Sequence, residues 1–349
     1  MIAVASLGDY RAEVVNELRR EMGRDLVVYA GAPAYSPSIK LLNYDKAGVV
    51  QLENFYFGPD VLFQRLPIVH VLAARGLIMD LNPRVPHVWL ITAIRRILGR
   101  RTMLWGHAWS RTGRDSFMRG LLRRVATGLV TYSEEQARAL RLIHPGKPVI
   151  VAPNALYSQC QMSFTEKTDR FRILYVGRLV VEKKPELLLK AFAQVAQMRS
   201  NLILTFVGDG PQRRHLESQA SSLGISSNVA FCGHVSEFES LRSLYAEAVV
   251  SVSPGYVGLS ITQSFAFGVP MVISRDEVHS PEIEAARSGF NAVFFNSDDK
   301  SDLARTLLGV AIEATVWAER GEAIAEACRE RYSSEKMAEG IVKALTSPL

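Results

Sequence analysis

Short apolar runs alternate with longer segments of helical periodicity along most of the chain. In the first half, runs such as Ile2–Leu7 and Thr102–Trp105 are separated by amphipathic segments such as Glu134–Ile143. The alternation begins again with the apolar run Phe171–Val176 and the helical period Pro185–Met198. Apolar runs of strand length that alternate with helices are typical of βαβ units and parallel sheets. The pattern therefore predicts an α/β protein with doubly wound parallel sheets.

One stretch interrupts this alternation. Residues 156–170 include the polar segment Tyr157–Ser163, which has no period and indicates a linker. The chain has 349 residues, more than one domain of ordinary size. We predict a Rossmann-like domain over residues 1–155, a second over 171–331 and a final helical segment over 332–349. Sheets of this kind bind ligands beyond the carboxyl ends of their strands, so we expect the site in a cleft between the two domains.

Composition and charge narrow the class of protein. Hydrophobic residues make up 48% and charged residues 22% of the chain, which is typical of a globular protein and excludes a disordered or fibrous one. No apolar run has the length of a membrane span, and the first residues lack the basic region of a signal peptide. The three scattered cysteines fit a reducing compartment. We therefore expect a cytoplasmic protein.

A basic loop follows the first strand of the second domain. It begins with Gly177 and Arg178, continues to Lys183 and Lys184, and enters the helix predicted from Pro185. Glycine lets the backbone approach a ligand closely, and Arg178 and Lys183 could hold a phosphate beside the helix N-terminus. The alternative is a solvated basic turn, and the loop alone does not decide between the two.

Two further turns in this domain connect a strand to a helix. One is the glycine-rich turn Val207–Pro211. The other contains Gly258, Leu259 and Ser260 and enters the helix predicted over Ile261–Phe267. Free amide N–H groups at a helix N-terminus favour a phosphate. Each turn on its own is equally consistent with a tight strand-to-helix connection.

Taken in order, these stretches resemble the motifs of family 4 of the retaining glycosyltransferases, which have the GT-B fold. That family carries V-G-R-L followed by E-K-G, a V-G-D-G-P turn, an F-x-G-x-V strand, and E-G-F-G-L-x-x-x-E-A followed by G-x-P. The counterparts here are Gly177–Lys183, Val207–Pro211, Phe231–Val235 and Gly255–Pro270. The resemblance covers residues 171–290 firmly and the first half more loosely. Four motifs in the right order are far more specific than any one alone.

The resemblance implies a retaining, metal-independent enzyme of the hexosyltransferase type. It would move a sugar from a nucleoside-diphosphate sugar to a saccharide or lipid-linked saccharide, in bacterial-type surface polysaccharide or glycolipid synthesis. Residues 1–155 would be the acceptor-side domain, 171–331 the nucleotide-sugar-binding domain, and 332–349 a helix that crosses back to the first domain. The resemblance implies no cofactor besides the donor substrate, because basic residues and helix dipoles replace the metal in this fold.

The resemblance also assigns roles by position. It makes Arg178 and Lys183 the catalytic pair that holds the donor diphosphate. It makes His107, which follows a strand in the first half, a residue near the donor sugar. From its position alone, His107 is equally well a structural histidine. The remaining donor-binding positions, which include glycine turns, backbone amides and base- or ribose-facing groups, are Gly177, Gly233, His234, Gly258, Leu259, Ser260 and Gln263.

Two glutamates of the family pattern are missing, and their positions hold Gly255 and Gln263. Gln263 can still hydrogen-bond a ribose hydroxyl, whereas Gly255 offers no side chain. A second function therefore stays open: a catalytically silent nucleotide-sugar-binding subunit of a partner transferase. A dinucleotide-dependent oxidoreductase is disfavoured, because no G-x-G-x-x-G follows the first strand of either half.

The excess positive charge lies in the first half of the chain. Residues 1–155 carry a net charge of +9 and the remainder −3. A helical stretch over residues 111–124 combines an apolar face with arginines; the face is Phe117, Met118, Leu121 and Leu122, and the arginines are Arg114, Arg119, Arg123 and Arg124. Such a helix suits the surface of an anionic membrane, and equally suits a packed helix with a solvated basic face. Nucleic acid is disfavoured as a partner, because no binding motif accompanies the charges.

Overall fold

The computed structural model describes residues 1–34, 40–58, 61–110, 115–167 and 169–347. The chain divides into two compact units, which are Met1–Ser158 with Tyr332–Leu349, and Gln159–Arg331. The main segment of the first unit thus ends inside the stretch 156–170, where the sequence predicts a linker.

The first unit is built on a mostly parallel sheet. Its strands are β1 (Ile2–Val4), β2 (Val28–Ala32), β3 (Val50–Phe57), β4 (Val61–Gln64), β5 (Gly76–Asp80), β6 (Arg101–Trp105), β7 (Gly128–Thr131) and β8 (Val149–Val151). The helices of this segment are α1 (Ala12–Met22), α2 (Ile68–Ala73), α3 (Pro86–Ile97), α4 (Phe117–Val125) and α5 (Glu134–Ile143). The described strands lie in the order β4-β3-β2-β1-β5-β6-β7-β8, and β4 runs antiparallel to β3. The strand order therefore reverses between β1 and β5.

Helices cover both faces of this sheet, which explains why central strands such as β1 and β5 are continuous apolar runs. Ile2 and Val4 of β1 pack into one buried cluster with residues of α1, such as Val14. Ala3, between them, points to the other face and joins a cluster that contains Ile91 of α3. Alternate residues of one short strand thus enter two different cores.

The second unit has a fully parallel sheet. Its strands are β9 (Arg172–Val176), β10 (Ile203–Val207), β11 (Val229–Gly233), β12 (Ala248–Ser253), β13 (Met271–Ser274) and β14 (Ala292–Phe295). Its helices are α6 (Pro185–Met198), α7 (Arg213–Ser222), α8 (Phe238–Ala246), α9 (Ser260–Ala266), α10 (Lys300–Ile312), α11 (Ala314–Glu319) and α12 (Gly321–Tyr332). The described strands lie in the order β11-β10-β9-β12-β13-β14. The strand order reverses between β9 and β12.

The last helix, α13 (Ser334–Thr346), belongs to the first unit. Its N-terminus is capped by Ser333, whose side chain accepts a hydrogen bond from the backbone N–H of Lys336. Met337 and Ile341 are fully buried in the same cluster as Val14 of α1. The helix is therefore part of the core that supports β1.

The predicted class, α/β with two doubly wound Rossmann-like units, is confirmed. The apolar pattern predicts neither of the short strands β4 and β14. It also predicts one helical stretch over about residues 301–331, which the structure divides into α10, α11 and α12. The last division falls at Gly321, whose backbone packs so closely on Phe164 that a β-carbon there would lie 2.2 Å from the ring.

Candidate functional site

The loop after β9 and the turn after β10 lie against each other at the carboxyl edge of the second sheet. The backbone N–H of Gly177 donates to Val207 O at 2.9 Å, and that of Leu179 donates to Asp209 O at 2.9 Å. The Tyr175 hydroxyl, from β9, donates to Arg178 O at 2.8 Å and so holds the same loop to the strand that precedes it. The first two sequence motifs are therefore one structural feature.

Gly208 is the residue that permits this contact. Its φ is +138°, and a β-carbon there would lie 1.9 Å from Gly177 O, so no other residue fits. Its N–H donates to Gly233 O at 2.7 Å, which attaches the end of β11 to the same edge. The third motif thus lies beside the first two. Behind it, Phe231 stacks on Phe206 with ring centroids 5.1 Å apart.

Lys183 connects this loop with the one after β12. It ends a single 3-10 turn, Val181–Lys183, which precedes α6. Its Nζ donates to Tyr256 O at 3.1 Å and lies 4.0 Å from the centroid of the Tyr256 ring. A β-carbon on Gly258 would lie 4.0 Å from the same Nζ. The ammonium group is thus placed beside the glycine loop that precedes α9, at the switch point between β9 and β12 where doubly wound sheets bind ligands.

The loop after β12 presents the start of α9 to this ammonium group. The first backbone hydrogen bonds here are donated by Ile261 to Gly258 O at 3.2 Å and by Gln263 to Leu259 O at 3.0 Å. The amides of Gly258, Leu259 and Ser260 therefore precede the helical ladder, where they carry partial positive charge. Together with Lys183 they make this edge of the sheet electropositive.

His279 fixes the shape of the same loop, and sequence reasoning missed it. Its Nδ1 accepts the N–H of Val257 at 3.0 Å and its Nε2 lies 2.8 Å from Ser274 O. This arrangement requires a neutral ring with the proton on Nε2. Burial is the main cause that lowers the pKa of His279. No motif could have indicated this residue, because its partner lies 22 positions earlier in the chain.

Position 255 has no space for a side chain. A β-carbon on Gly255 would lie 2.6 Å from Glu182 O and 3.0 Å from the Cα of Lys183. The glycine that replaces the family glutamate is therefore what lets the loop after β12 pack on the loop of Lys183. Gln263 is half-buried on α9, with its Oε1 3.5 Å from the hydroxyl of Tyr245.

The remaining predicted donor residues lie at the surface of this edge. Arg178 and His234 are both exposed, at the ends of β9 and β11. Lys184, the second lysine of the basic loop, is an internal residue instead: its Nζ contacts Glu277 Oε1 at 2.5 Å and Asp298 Oδ1 at 2.7 Å. Within the basic loop, Lys184 is thus held by two carboxylates, whereas Lys183 contacts Tyr256 and Arg178 lies exposed at the sheet edge.

The carboxyl edge of the first sheet carries a separate group of polar and aromatic residues. His107, after β6, is exposed, and its ring lies 4.9 Å from the ring of Tyr132. Arg11 is buried nearby, with its guanidinium 5.9 Å from the centroid of the same tyrosine. Asp80 ends β5, at the β1/β5 switch point, and accepts the N–H of Ala5. Burial raises the pKa of Asp80 to about 6. The sequence indicated His107 but neither Arg11 nor Asp80.

The basic helix of the first unit differs from its prediction. Leu122 and Arg123 are buried rather than part of an outer face, and Arg123 pairs with Asp115 and donates to Ala108 O. Arg119 is half-buried and donates to His107 O at 2.8 Å. Arg114 lies outside the described residues. The exposed apolar residues of α4 are Phe117, Met118 and Leu121.

The described residues contain no helix that is both long and apolar enough to cross a bilayer. They also contain no group of three or more metal-ligating His, Cys, Asp or Glu side chains. Metal independence stays a prediction.

Comparison with known proteins links the second unit to sugar transfer. Residues 161–330 match the family model described as Glycosyl transferases group 1. A GDP-mannose-dependent alpha-(1-6)-phosphatidylinositol dimannoside mannosyltransferase of Mycobacterium tuberculosis is 34% identical over 120 residues, 34% of this chain and 30% of that protein. The lipopolysaccharide core biosynthesis glycosyltransferase LpsE of Rhizobium meliloti is 28% identical over 178 residues, 50% of this chain and 49% of that protein. The chain spans less than a third of the length of the first relatives it matches.

Solved structures share the fold over nearly the whole chain. HepE of Anabaena, in complex with UDP, superposes with a TM-score of 0.71 at 14% identity, and the match covers 98% of each chain. The lipopolysaccharide outer core galactosyltransferase WaaB in its apo form gives a TM-score of 0.67 at 13% identity, with 98% of each chain covered. These likenesses confirm the predicted GT-B fold class. Assignment to family 4 stays a prediction.

Proposed function

We propose that this chain is a retaining glycosyltransferase that binds a nucleoside-diphosphate sugar in its second unit. The observation that carries the proposal is that four separate motifs lie side by side along one carboxyl edge of the second sheet, with Lys183 Nζ beside Gly258 at the β9/β12 switch point. The match of residues 161–330 to group 1 glycosyl transferases favours sugar transfer over the other uses of a Rossmann-like nucleotide site.

The proposed chemistry rests on charge stabilisation. When the glycosidic bond to the diphosphate breaks, the largest new charge develops on the departing phosphate oxygens. Arg178 and Lys183, with the amides of Gly258 to Ser260, would stabilise that charge without a metal ion. Gly177 and Gly233 would let the nucleotide approach the sheet edge closely, His234 would lie beside the base, and Gln263 would bind the ribose. His107 would serve the donor sugar.

The acceptor that we propose is a saccharide or lipid-linked saccharide of a surface polysaccharide or glycolipid. Support comes from the names of the relatives, which include a phosphatidylinositol dimannoside mannosyltransferase and a lipopolysaccharide core glycosyltransferase. The enzyme would act on the cytoplasmic side of the membrane.

We also propose that the first unit contacts an anionic membrane as a peripheral protein. Ile97 of α3 and Phe117 of α4 are large apolar side chains that are 85% and 83% exposed. The two helices are joined, because Arg96 of α3 donates to Arg124 O at the end of α4 at 3.1 Å. Apolar side chains among arginines on joined helices favour an interfacial position on anionic lipid.

The donor site is tested by Arg178→Ala and Lys183→Ala, assayed with a panel of labelled nucleotide sugars. Each change should lower turnover by about 10²- to 10³-fold, the usual cost of removing one group that stabilises a developing oxyanion. The matched control is Lys190→Ala, which removes a surface lysine of α6 that pairs only locally with Glu186. Full turnover in both site variants would refute the assignment.

The second candidate, a silent nucleotide-sugar-binding subunit, is favoured by the replacement of both family glutamates. The same donor panel separates the two. Nucleotide binding without transfer or donor hydrolysis, across the panel and with lipid-linked acceptors present, would establish the silent subunit. Sugar transfer, unaffected by a metal chelator, would establish the metal-independent enzyme.

A further inference from the structure

A cavity of about 710 Å³ lies in the first unit at the amino-terminal edge of the sheet. Gly76 and Arg101, the first residues of β5 and β6, border it, and Leu345 in the last turn of α13 closes one side. Gly76 packs so closely on this turn that a β-carbon would lie 2.3 Å from Leu345 O. The close packing of Gly76 on α13 therefore forms one wall of the cavity, which lies at the opposite edge of the sheet from His107 and Asp80.

The charge of this cavity is strongly positive. Arg75, Arg100 and Arg101 line it, and Arg95 lies directly behind, donating to Arg101 O. Among the described residues that line the cavity, Asp25 is the one carboxylate, and no described ion pair joins it to these arginines. The carbonyl end of α13 contributes only about half an elementary negative charge.

Arg101 provides the main evidence that the cavity has an uncompensated charge. It is 5% exposed, and its Nε and Nη2 have no hydrogen-bond partner among the described residues. Arg95, which is fully buried, differs in that it donates to Val71 O, Leu72 O and Ala74 O at 2.8–2.9 Å. Neither of the two arginines has a carboxylate partner in the described part of the chain, whereas the buried Arg123 pairs with Asp115. Buried charges are normally paired, so the charge of Arg101 is one that an anion in the adjoining cavity would compensate.

We propose that this cavity binds a phosphate-bearing anion, with Arg101 as its innermost contact and Arg75 and Arg100 at the entrance. Guanidinium groups match phosphate oxygens in geometry, and several arginines together suit a dianion better than a single carboxylate. The site goes beyond the proposed transfer reaction and does not depend on it. A soluble phosphate ester and a lipid headgroup offer the same chemistry; Ile97 and Leu98, both exposed, lie just before Arg100 and Arg101 in the chain.

Thermal unfolding and calorimetry with inorganic phosphate test the site, with chloride at equal ionic strength as the control anion. Phosphate should raise the unfolding temperature of the wild-type protein by mass action. Arg101→Met should bind phosphate at least about tenfold more weakly, and without phosphate it should be no less stable than the wild type, because a buried unpaired charge is gone. Arg75→Gln, at an exposed position, should weaken binding several-fold and keeps the test valid if Arg101→Met does not fold.

Two further variants separate this site from other anion sites. Arg138→Gln, which removes an exposed arginine of α5, should retain the whole phosphate effect. Lys183→Ala, which removes the donor-site cation, should retain the part of the effect that Arg101→Met abolishes. An equal effect of chloride, or phosphate binding as tight as that of the wild type in both Arg101→Met and Arg75→Gln, would overturn the proposal. Dihexanoyl phosphatidic acid and glycerol 3-phosphate distinguish the sources. Tighter binding of the lipid indicates a headgroup site, equal binding indicates a soluble ester, and binding of neither would also overturn the proposal.

Discussion

Gly255 and Gln263 occupy the two positions at which the chain departs from the glutamates of the family it resembles, and their surroundings differ. At Gly255 a β-carbon would meet the backbone of Glu182 and Lys183 within 3.0 Å. At Gln263 the side chain is half-buried on α9 and an isosteric change needs no movement. A glycine at position 255 is therefore required by the packing of two loops, whereas Gln263 differs from the family glutamate in charge alone.

Gly255→Glu should consequently not restore a family function. We expect it to lower the free energy of unfolding by at least about 2 kcal/mol, because backbone atoms on the far side cannot yield as a side chain would. It should also lower turnover by displacing Lys183. Chemical denaturation and donor assays check both effects. A variant that is as stable as the wild type and more active would show that the loop of residues 253–258 is placed differently.

Gln263→Glu is the matched change on the same segment. We expect an intact fold and donor binding that is unchanged or tighter, because a carboxylate accepts hydrogen bonds from both ribose hydroxyls more strongly than an amide does. Calorimetric titration with nucleotides measures this. Weaker nucleotide binding by a folded variant would count against the placement of Gln263 at the ribose.

At the scale of elements, α13 shows how a terminal helix becomes part of a core. Gly340 faces β8 so closely that a β-carbon would lie 2.4 Å from Val151 O. Gly340→Ala should therefore destabilise the first unit by about 1–3 kcal/mol, even though alanine is the better helix former. The control is Gly309→Ala in α10, where a β-carbon would meet nothing within 4 Å. This change should stabilise the second unit by up to about 1 kcal/mol, because alanine is the better helix former. Thermal unfolding that shifts in the same direction for both variants would contradict this packing.

The elements that the sequence predicted best are those with local signals at their ends. Helices α5 and α6 have the predicted bounds, since Ser133 caps the first and Pro185 begins the second. The strands β4 and β14 were missed, because each has four residues and its strand character depends on pairing with a neighbour rather than on its own pattern.

In the candidate site, too, the sequence predicted the local features and missed the contacts between distant residues. The order of the motifs and their place after buried strands were readable from the sequence, because glycine turns and basic loops are local features. The contacts of Lys183 with Tyr256, and of His279 with Val257, join residues 73 and 22 positions apart, and nothing in either segment indicates the partner. The apolar face predicted for α4 fails at Leu122, and its basic surround fails at Arg123, for a similar reason: both are buried, and Arg123 pairs with Asp115 and donates to Ala108 O, which periodicity does not reveal.

At the scale of the whole molecule, charge and exposed apolar surface occur in the same part of the chain. The net charge of +9 belongs to residues 1–155, which also contain Ile97 and Phe117. A solvated basic face requires only the charge, whereas a membrane-contacting face requires both features. The proposal of membrane contact therefore makes a prediction that a merely solvated helix does not: removing apolar side chains, with the charge unchanged, should reduce binding.

Flotation with anionic vesicles tests this directly. The wild-type protein should float with the vesicles at low salt and be released at high salt, as the screening length falls from about 10 Å at 0.1 M to about 3 Å at 1 M. Ile97→Ser/Phe117→Ser should bind at least about tenfold more weakly, because each buried apolar side chain contributes about 1.5–3 kcal/mol. The control, Met198→Ser/Ile312→Ser, removes two exposed side chains of the second unit, 71% and 68% exposed, and should float like the wild type. Equal loss of vesicle binding in both double variants would mean that general hydrophobicity, rather than the surface of α3 and α4, holds the protein to the vesicle. If the wild-type protein does not float at low salt, the arginines are a solvated face and the proposal of membrane contact is wrong.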